Sequence, residues 1–497
     1  MKPKIALAVG ILLIFAQIGI TSAGEVKNVI LLIGDGMGFP QLHITELVYG
    51  NLTMEHFNWT CVGFELTDSL SGEVTDSAAA GTAIATGFKT YNGMISTLKL
   101  NNKTVNLTTI LEVAERINKS TGLVTTARIT DATPAVFASH VKNRHMENVI
   151  ARQLIEHRVN VLLGGGAKYF DEKTLKLAKK YGYVIVHDKK SLERAKGKYI
   201  LGLFAKSNIP FVLDRSKNIP SLLDMTKKAI EVLEKNPNGF FLMVEGGRID
   251  HACHINDIAS VVAETKEFDD VVKYVLNYAK HRGDTVVIVT ADHETGGLAV
   301  GITYGKSVKV KDILKVKKSV EYMAKEIRSG KSIEYVVKKY AGIELSPEEV
   351  KRIKEAEKEK YGLEDTLGEI ISEKMGVKFA THKHTGSPVP LMVYGSDEFK
   401  GGFLHHVATS KIIAKLMLFD RDFKVAKLAR SKIKGDANGD GIVNEEDAYI
   451  ALMHVGNVSG AYKNIDMDGN GIIDYNDVCL ILSKAYANEA RCLSMAV

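Results

Sequence analysis

Short apolar runs alternate with helix-patterned stretches along most of this chain, and that alternation restricts its fold more than any other feature. Runs at 29–33, 123–126, 161–163, 184–186, 240–244, 286–289 and 391–394 are short and largely apolar, as strands buried on both faces are. Between them, 110–117, 225–233 and 258–278 carry helical patterns. The alternation predicts an α/β fold, a largely parallel, doubly wound sheet flanked by helices. Ligands of such sheets bind beyond the carboxyl ends of the strands.

Acids and histidines collect at those ends. The run 29–33 leads into Gly34-Asp35-Gly36-Met37-Gly38, where glycines let backbone approach a ligand and Asp35 emerges beyond the strand. The run 240–244 leads into Glu245, Asp250, His251 and His254; 286–289 leads into Asp292, His293 and Thr295; His384 lies just before 391–394. Asp250 and His254 are four apart, so one helical face carries both, and a third ligand from elsewhere would complete an open zinc site. Ser77 precedes Ala78-Ala79-Ala80-Gly81 at the predicted first turn of a helix, where free amides favour an anion. A hydroxyl there is placed to attack a phosphate. Taken singly, these residues read as an N-cap serine, surface ion pairs and core histidines. Gathered at successive strand ends, they read as a metal site around a nucleophile.

A chain of 497 residues accommodates one large α/β domain plus a small unit. Lys2 and Lys4 precede an apolar stretch at 5–20 and then Thr21-Ser22-Ala23. That is the pattern of a signal peptide, 1–23, and it predicts a secreted, extracellular or cell-envelope protein. Export permits disulfides among Cys61, Cys253, Cys479 and Cys492, with Cys479 to Cys492 the sequence-local pairing. The net charge of +6 is spread along the chain and gives no reason to expect nucleic acid as a specific partner. Lysine and glutamate dominate 304–379, which reads as a charged helical insertion without chemistry of its own; Ser346-Pro347-Glu348-Glu349 is a capping box inside it.

After Lys434 two twelve-residue segments repeat thirty positions apart. The first offers Asp436, Asn438, Asp440, Ile442 through its carbonyl, Asn444 and Asp447; the second offers Asp466, Asp468, Asn470, Ile472, Asp474 and Asp477. Oxygens at positions 1, 3, 5, 7, 9 and 12, with glycine at 6, form a calcium loop, and each loop leads into an apolar helical run. The expectation is a small all-α, EF-hand-like unit at 435–487 holding two calcium ions, with 488–497 as a tail.

The stretches GDGMG around Asp35, TDSAAAGTA around Ser77, DATPA from Asp131, VEGGRIDHACH from Glu245, TADHETGG around Asp292 and HTG from His384 together resemble the alkaline phosphatase family over about 26–425. The resemblance implies a domain at 24–430 that hydrolyses small phosphate monoesters through a phosphoserine at Ser77. It implies two zinc ions, one on Asp250, His254 and His384 and the other on Asp35, Asp292 and His293. It implies one magnesium ion on Asp35, Thr133 and Glu245, with Asp131 binding directly or through a water, and it makes Arg144 the phosphate-binding arginine. Asp131 paired with His251 leaves the third metal's identity open. Thr295 stands where some relatives keep a histidine, which implies one support fewer for the metal ligands. Family members are commonly homodimers. The paired loops, with Asp in place of Glu at position 12, resemble a dockerin, which implies a cohesin-type partner on a scaffold or envelope. Two further readings stay open: a superfamily relative acting on sulfates or phosphodiesters, and a calcium-dependent adhesin with an inert phosphatase domain.

Overall fold

A computed structural model describes residues 26–100, 102–302, 304, 307–359, 362–419, 423 and 427–495, with side chains described to 487. The predicted signal peptide and Cys492 lie outside the described part. Ten strands form the main sheet: β1 (Asn28–Ile33), β2 (Cys61–Leu66), β3 (Ser120–Arg128), β4 (Val161–Gly165), β5 (Tyr183–Val186), β6 (Tyr199–Leu203), β7 (Phe240–Glu245), β8 (Thr285–Thr290), β9 (Val389–Tyr394) and β10 (Gly402–His405). Their order across the sheet is β10-β2-β9-β8-β1-β7-β3-β4-β6-β5. β9 alone pairs antiparallel with both neighbours, β8 and β2; every other pairing is parallel. β1, β7 and β8 are buried at every position, which explains their unbroken apolar sequence. The edge strand β10 and its neighbour β2 were not legible. β2 alternates buried and exposed residues, and β10 is largely exposed.

Helices cover both faces. Those needed below are α1 (Ser77–Thr86), α2 (Ile110–Arg116), α3 (Ala132–Ala138), α4 (Arg248–His254), α5 (Ile258–Arg282), α6 (His406–Leu418), α7 (Glu445–Met453) and α8 (Tyr475–Met495). α5, under one face, buries Val261, Phe268, Val272 and Val275 in the same core as β1 and β7. The charged insertion is helical, its base closed by the ladder Leu298–Val300 with Val377–Phe379, and Ser346 and Glu349 form the expected capping box. It is not chemically idle, as the site shows.

Residues after Lys434 share the core on the opposite face, where Ile450, Ile472, Tyr475 and Ile481 join Leu107, Ile110 and Ile413. Two expectations change here. The unit is not purely helical, since Asn457–Val458 pairs with Ile472–Ile473. The expected tail at 488 is a continuation of α8 to Met495. Cys61 and Cys253 are free thiols; the expected Cys479–Cys492 pairing involves a side chain outside the described residues. No described helix is long and apolar enough to cross a membrane.

Candidate metal centre

Six segments, around Asp35, Ser77, Asp131, Glu245, Asp292 and His384, converge at the carboxyl ends of β1, β3, β7 and β8. Ser77 opens α1, but Asp76 is its cap: the Asp76 carboxylate accepts from Ala79 N at 2.9 Å. The serine is therefore spared that task, and its Oγ lies 3.2 Å from His293 Nε2. α1 is small-residue rich because it is wholly buried; a Cβ at Gly81 would stand 2.9 Å from Val136 on α3.

Beside Ser77, Asp35, Asp292 and His293 bring ligand atoms within 4.8 Å of one another, all buried. His293 Nε2 is 3.0 Å from Asp292 Oδ2 and 3.8 Å from Asp35 Oδ1. A second cluster joins Asp250, His254 and His384. Asp250 lies 3.3 Å from His254 Nε2 and 3.6 Å from His384 Nε2, and those two nitrogens are 3.2 Å apart. Their Nδ1 atoms face the carbonyls of His382 at 2.7 Å and Thr75 at 2.9 Å. Carbonyls only accept, so each Nδ1 carries the proton and each Nε2 presents a lone pair inward. Two lone pairs facing each other beside a carboxylate call for positive charge between them, which is what a metal supplies. Without a metal a proton takes that place: Asp250's charge pushes His254 up to about 9, so its Nε2 is protonated, while burial and the charge of His293 push His384 down to about 4 and leave its Nε2 lone pair free to accept.

Asp35 Oδ1 and both oxygens of Glu245 are buried and lack a hydrogen-bond partner. Thr133 Oγ1 donates to Asp35 Oδ2 at 3.3 Å. Burial, then the charges of Asp292, Asp250 and Glu245, drive the Asp35 carboxyl well above its usual range, and Glu245 rises to about 8 for the same kind of reason. Oxygen donors so crowded suit a hard cation. Asp131 is engaged otherwise. Its oxygens meet Arg128 Nη2 at 2.7 Å and Arg144 Nη2 at 3.1 Å, and these arginines outweigh burial and keep it ionised. Arg144 also reaches Asp76 Oδ2 at 3.1 Å, so the capping residue of α1 tethers the arginine beside Ser77. His251 is half-buried with its Nδ1 buried and unpartnered, and desolvation lowers it to about 4.

Several contributors escaped the sequence reading. Thr295 Oγ1 donates to Asp250 Oδ1 at 2.6 Å and lies 3.2 Å from His293 Nδ1, linking the two clusters. The support expected to be missing at Thr295 is therefore present. His382 clamps His254 through both backbone and ring and is itself held by Glu369 of the insertion at 2.8 Å. Buried His406 meets the Asp292 carbonyl at 3.0 Å and ion-pairs with Glu65. Of these, Thr295 and His382 sit inside stretches that the sequence singles out, but neither was given a role there.

The alkaline phosphatase family model matches residues 26–419. Alkaline phosphatase 4 of Bacillus subtilis (strain 168) is 38% identical over 414 residues, covering 79% of this chain and 89% of that protein. The cold-active alkaline phosphatase of the psychrophile Shewanella sp. superposes with a TM-score of 0.72 at 32% identity, over 78% of this chain and 99% of that one. A mutant of the phosphatase from the Antarctic bacterium TAB5, with Mg bound in its M3 site, gives a TM-score of 0.59 at 28% identity over 80% and 99% of the two chains.

Proposed function

This chain belongs to the alkaline phosphatase family and is a metal-binding phosphomonoesterase; from that premise we propose that it transfers phosphate to Ser77 and then to water at a site for two zinc ions and one magnesium ion. The observation that carries the proposal is the Ser77 hydroxyl 3.2 Å from a histidine of the deeper cluster, at the start of a helix whose cap holds Arg144.

Asp35, Asp292 and His293 would hold one zinc, and Asp250, His254 and His384 the other. Asp35, Thr133 and Glu245 would hold magnesium, the metal named in the TAB5 relative's M3 site, with Asp131 reaching it through a water because arginines take its oxygens. Bound there, the cations supply charge that stabilises the entering and leaving oxygens of the transfer. Ser77 Oγ forms a bond to phosphorus as the ester oxygen departs with its electron pair, leaving a phosphoserine. Water then attacks that phosphorus, and Ser77 is restored as phosphate leaves. Arg144, its guanidinium ionised and tethered by two carboxylates, offers a planar fork to phosphate oxygens. The free amides of the first turn of α1 add to the attraction.

We also propose export directed by residues 1–23, and a homodimer. The exposed aromatic strip Phe39, Phe64 and Phe403, with ring centroids 5.4 and 5.0 Å apart, supports the dimer. Calcium in the loops after Lys434 and a cohesin-type partner complete the proposal. Acid quenching during turnover of a radiolabelled monoester tests it: label should map to Ser77, and label elsewhere or none refutes the nucleophile. Phosphodiester or sulfate turnover faster than monoester turnover on the same preparation would redirect the substrate class.

A further inference from the structure

We propose that the calcium-loop unit is docked against the phosphatase body as a brace for α1, the helix that carries Ser77, so that calcium in the second loop steadies the catalytic wall. The inference rests on the calcium reading above.

α1 ends at Gly87, whose φ of +73° closes the helix through a bond from its N–H to Ala83 O. Against that end lies Tyr475, fully buried, its hydroxyl 2.7 Å from Ser410 Oγ on α6. A Cβ at Gly87 would stand 3.0 Å from the Tyr475 hydroxyl and 3.3 Å from Val455. A Cβ at Gly456, where φ is +98°, would stand 2.9 Å from the Gly87 carbonyl. The two backbones meet with room for hydrogen only, so the unit's place is set by the tail of α1.

The calcium loop itself makes part of the joint. Asp474 Oδ2, at position 9, accepts from Thr108 N at 3.4 Å, and Arg116 Nη1 donates to Asn476 Oδ1 at 2.7 Å. Tyr475 sits between these two residues. The same loop is arranged for a cation. Asp466, Asp468 and Asp477 bring oxygens within 4.8 Å of one another, and Asp466 Oδ1 is unpartnered on a side chain only 4% exposed. Asp477, the first-turn acid of α8, accepts from Met467 N at 2.6 Å and Asp474 N at 2.9 Å. Drawing these carboxylates onto one ion fixes the start of α8, and with it Asp474 and Tyr475. Binding free energy at the loop thereby becomes order at the joint, and docking in turn favours the occupied loop.

The test uses the full chain loaded with zinc and magnesium, with calcium varied, and follows backbone hydrogen exchange together with calcium and zinc content. Saturating calcium should slow exchange across residues 77–88 at least tenfold at unchanged zinc content. Asp466→Asn with Asp477→Asn should lose the calcium of the second loop, one per chain, and with it the protection. Arg116→Ala with Ser410→Val, on the body side, should keep one calcium in the second loop yet lose most of the protection. Calcium bound by the wild type without slower exchange at 77–88 overturns the brace and leaves the calcium reading intact. Absence of calcium uptake by the wild type overturns both.

Discussion

The catalytic rim and the loops after Lys434 both gather ligand atoms of the kind a cation takes, and they do so by opposite routes. At the rim the ligands span positions 35 to 384 and are fixed by strand ends, each orienting bond coming from a distant segment: Thr75 O on His384, His382 O on His254, Thr295 on Asp250. In the loops, ligand and support are neighbours: Asp468 accepts from Asn470 N, Asn470 from Ile472 N and Asp474 from Asn476 N. The rim is therefore organised by the core, whereas the loops, if they hold the calcium proposed above, would draw part of their order from it. Loss of metal should silence the first region and loosen the second.

Ser77→Ala is the sharpest challenge to the rim. It should cut monoester turnover by more than about 10³-fold and abolish phosphoenzyme labelling, leaving the melting temperature and zinc content unchanged. A fall in zinc content or melting temperature would make Ser77 a structural residue. Next, His384→Ala and Asp477→Asn should separate the two regions cleanly in metal analysis. The first should lose one zinc per chain and keep its calcium. The second should lose one calcium per chain and keep its zinc. Joint loss in either variant would collapse the distinction. Thr295→Val removes the hydroxyl between the clusters and should cost about 10- to 100-fold in zinc affinity or turnover, whereas a neutral result would return the position to bystander status.

How far the sequence discloses each region follows from the same contrast. A calcium loop can be read from twelve consecutive residues, and the rim's ligands from strand-end motifs, because both advertise unusual side chains at fixed spacing. Residues that act through backbone carbonyls, such as His382 and Thr75, leave no such mark. Nor does Glu369, one acid among many in a charged insertion, or Asp76, whose double duty to Ala79 and Arg144 needs the fold to bring Arg144 near. β10 was hidden because its exposed residues lack a buried strand's composition, and β9's reversed direction because direction is set by the connection, which composition does not encode. The docking of the loops was equally hidden: Gly87 and Gly456 are ordinary turn residues until the two are seen face to face.

The smallest effect lies on α2, the helix whose Arg116 meets Asn476 of the second loop. Burial pushes Glu115 on α2 up to about 8 from an ordinary 4.5. Its folded value exceeds the unfolded one, so its cost is nil below pH 4.5, grows as pH rises towards 8 and is complete above it. The side chain keeps 27% exposure, which lowers the cost to about 1 kcal/mol. Glu115→Gln should therefore stabilise the protein by about that much at pH 9 and not at pH 4, as denaturant midpoints will report; equal gains at both would remove ionisation as the cause.

The central claim is that scattered carboxylates and imidazoles enclose two zinc ions next to one serine hydroxyl. Anomalous scattering measured on either side of the zinc edge, from crystals of the zinc-loaded protein, tests it most directly. The account predicts two peaks, one among Asp35, Asp292 and His293 and one among Asp250, His254 and His384. Zinc peaks elsewhere, with both cages empty, would contradict it.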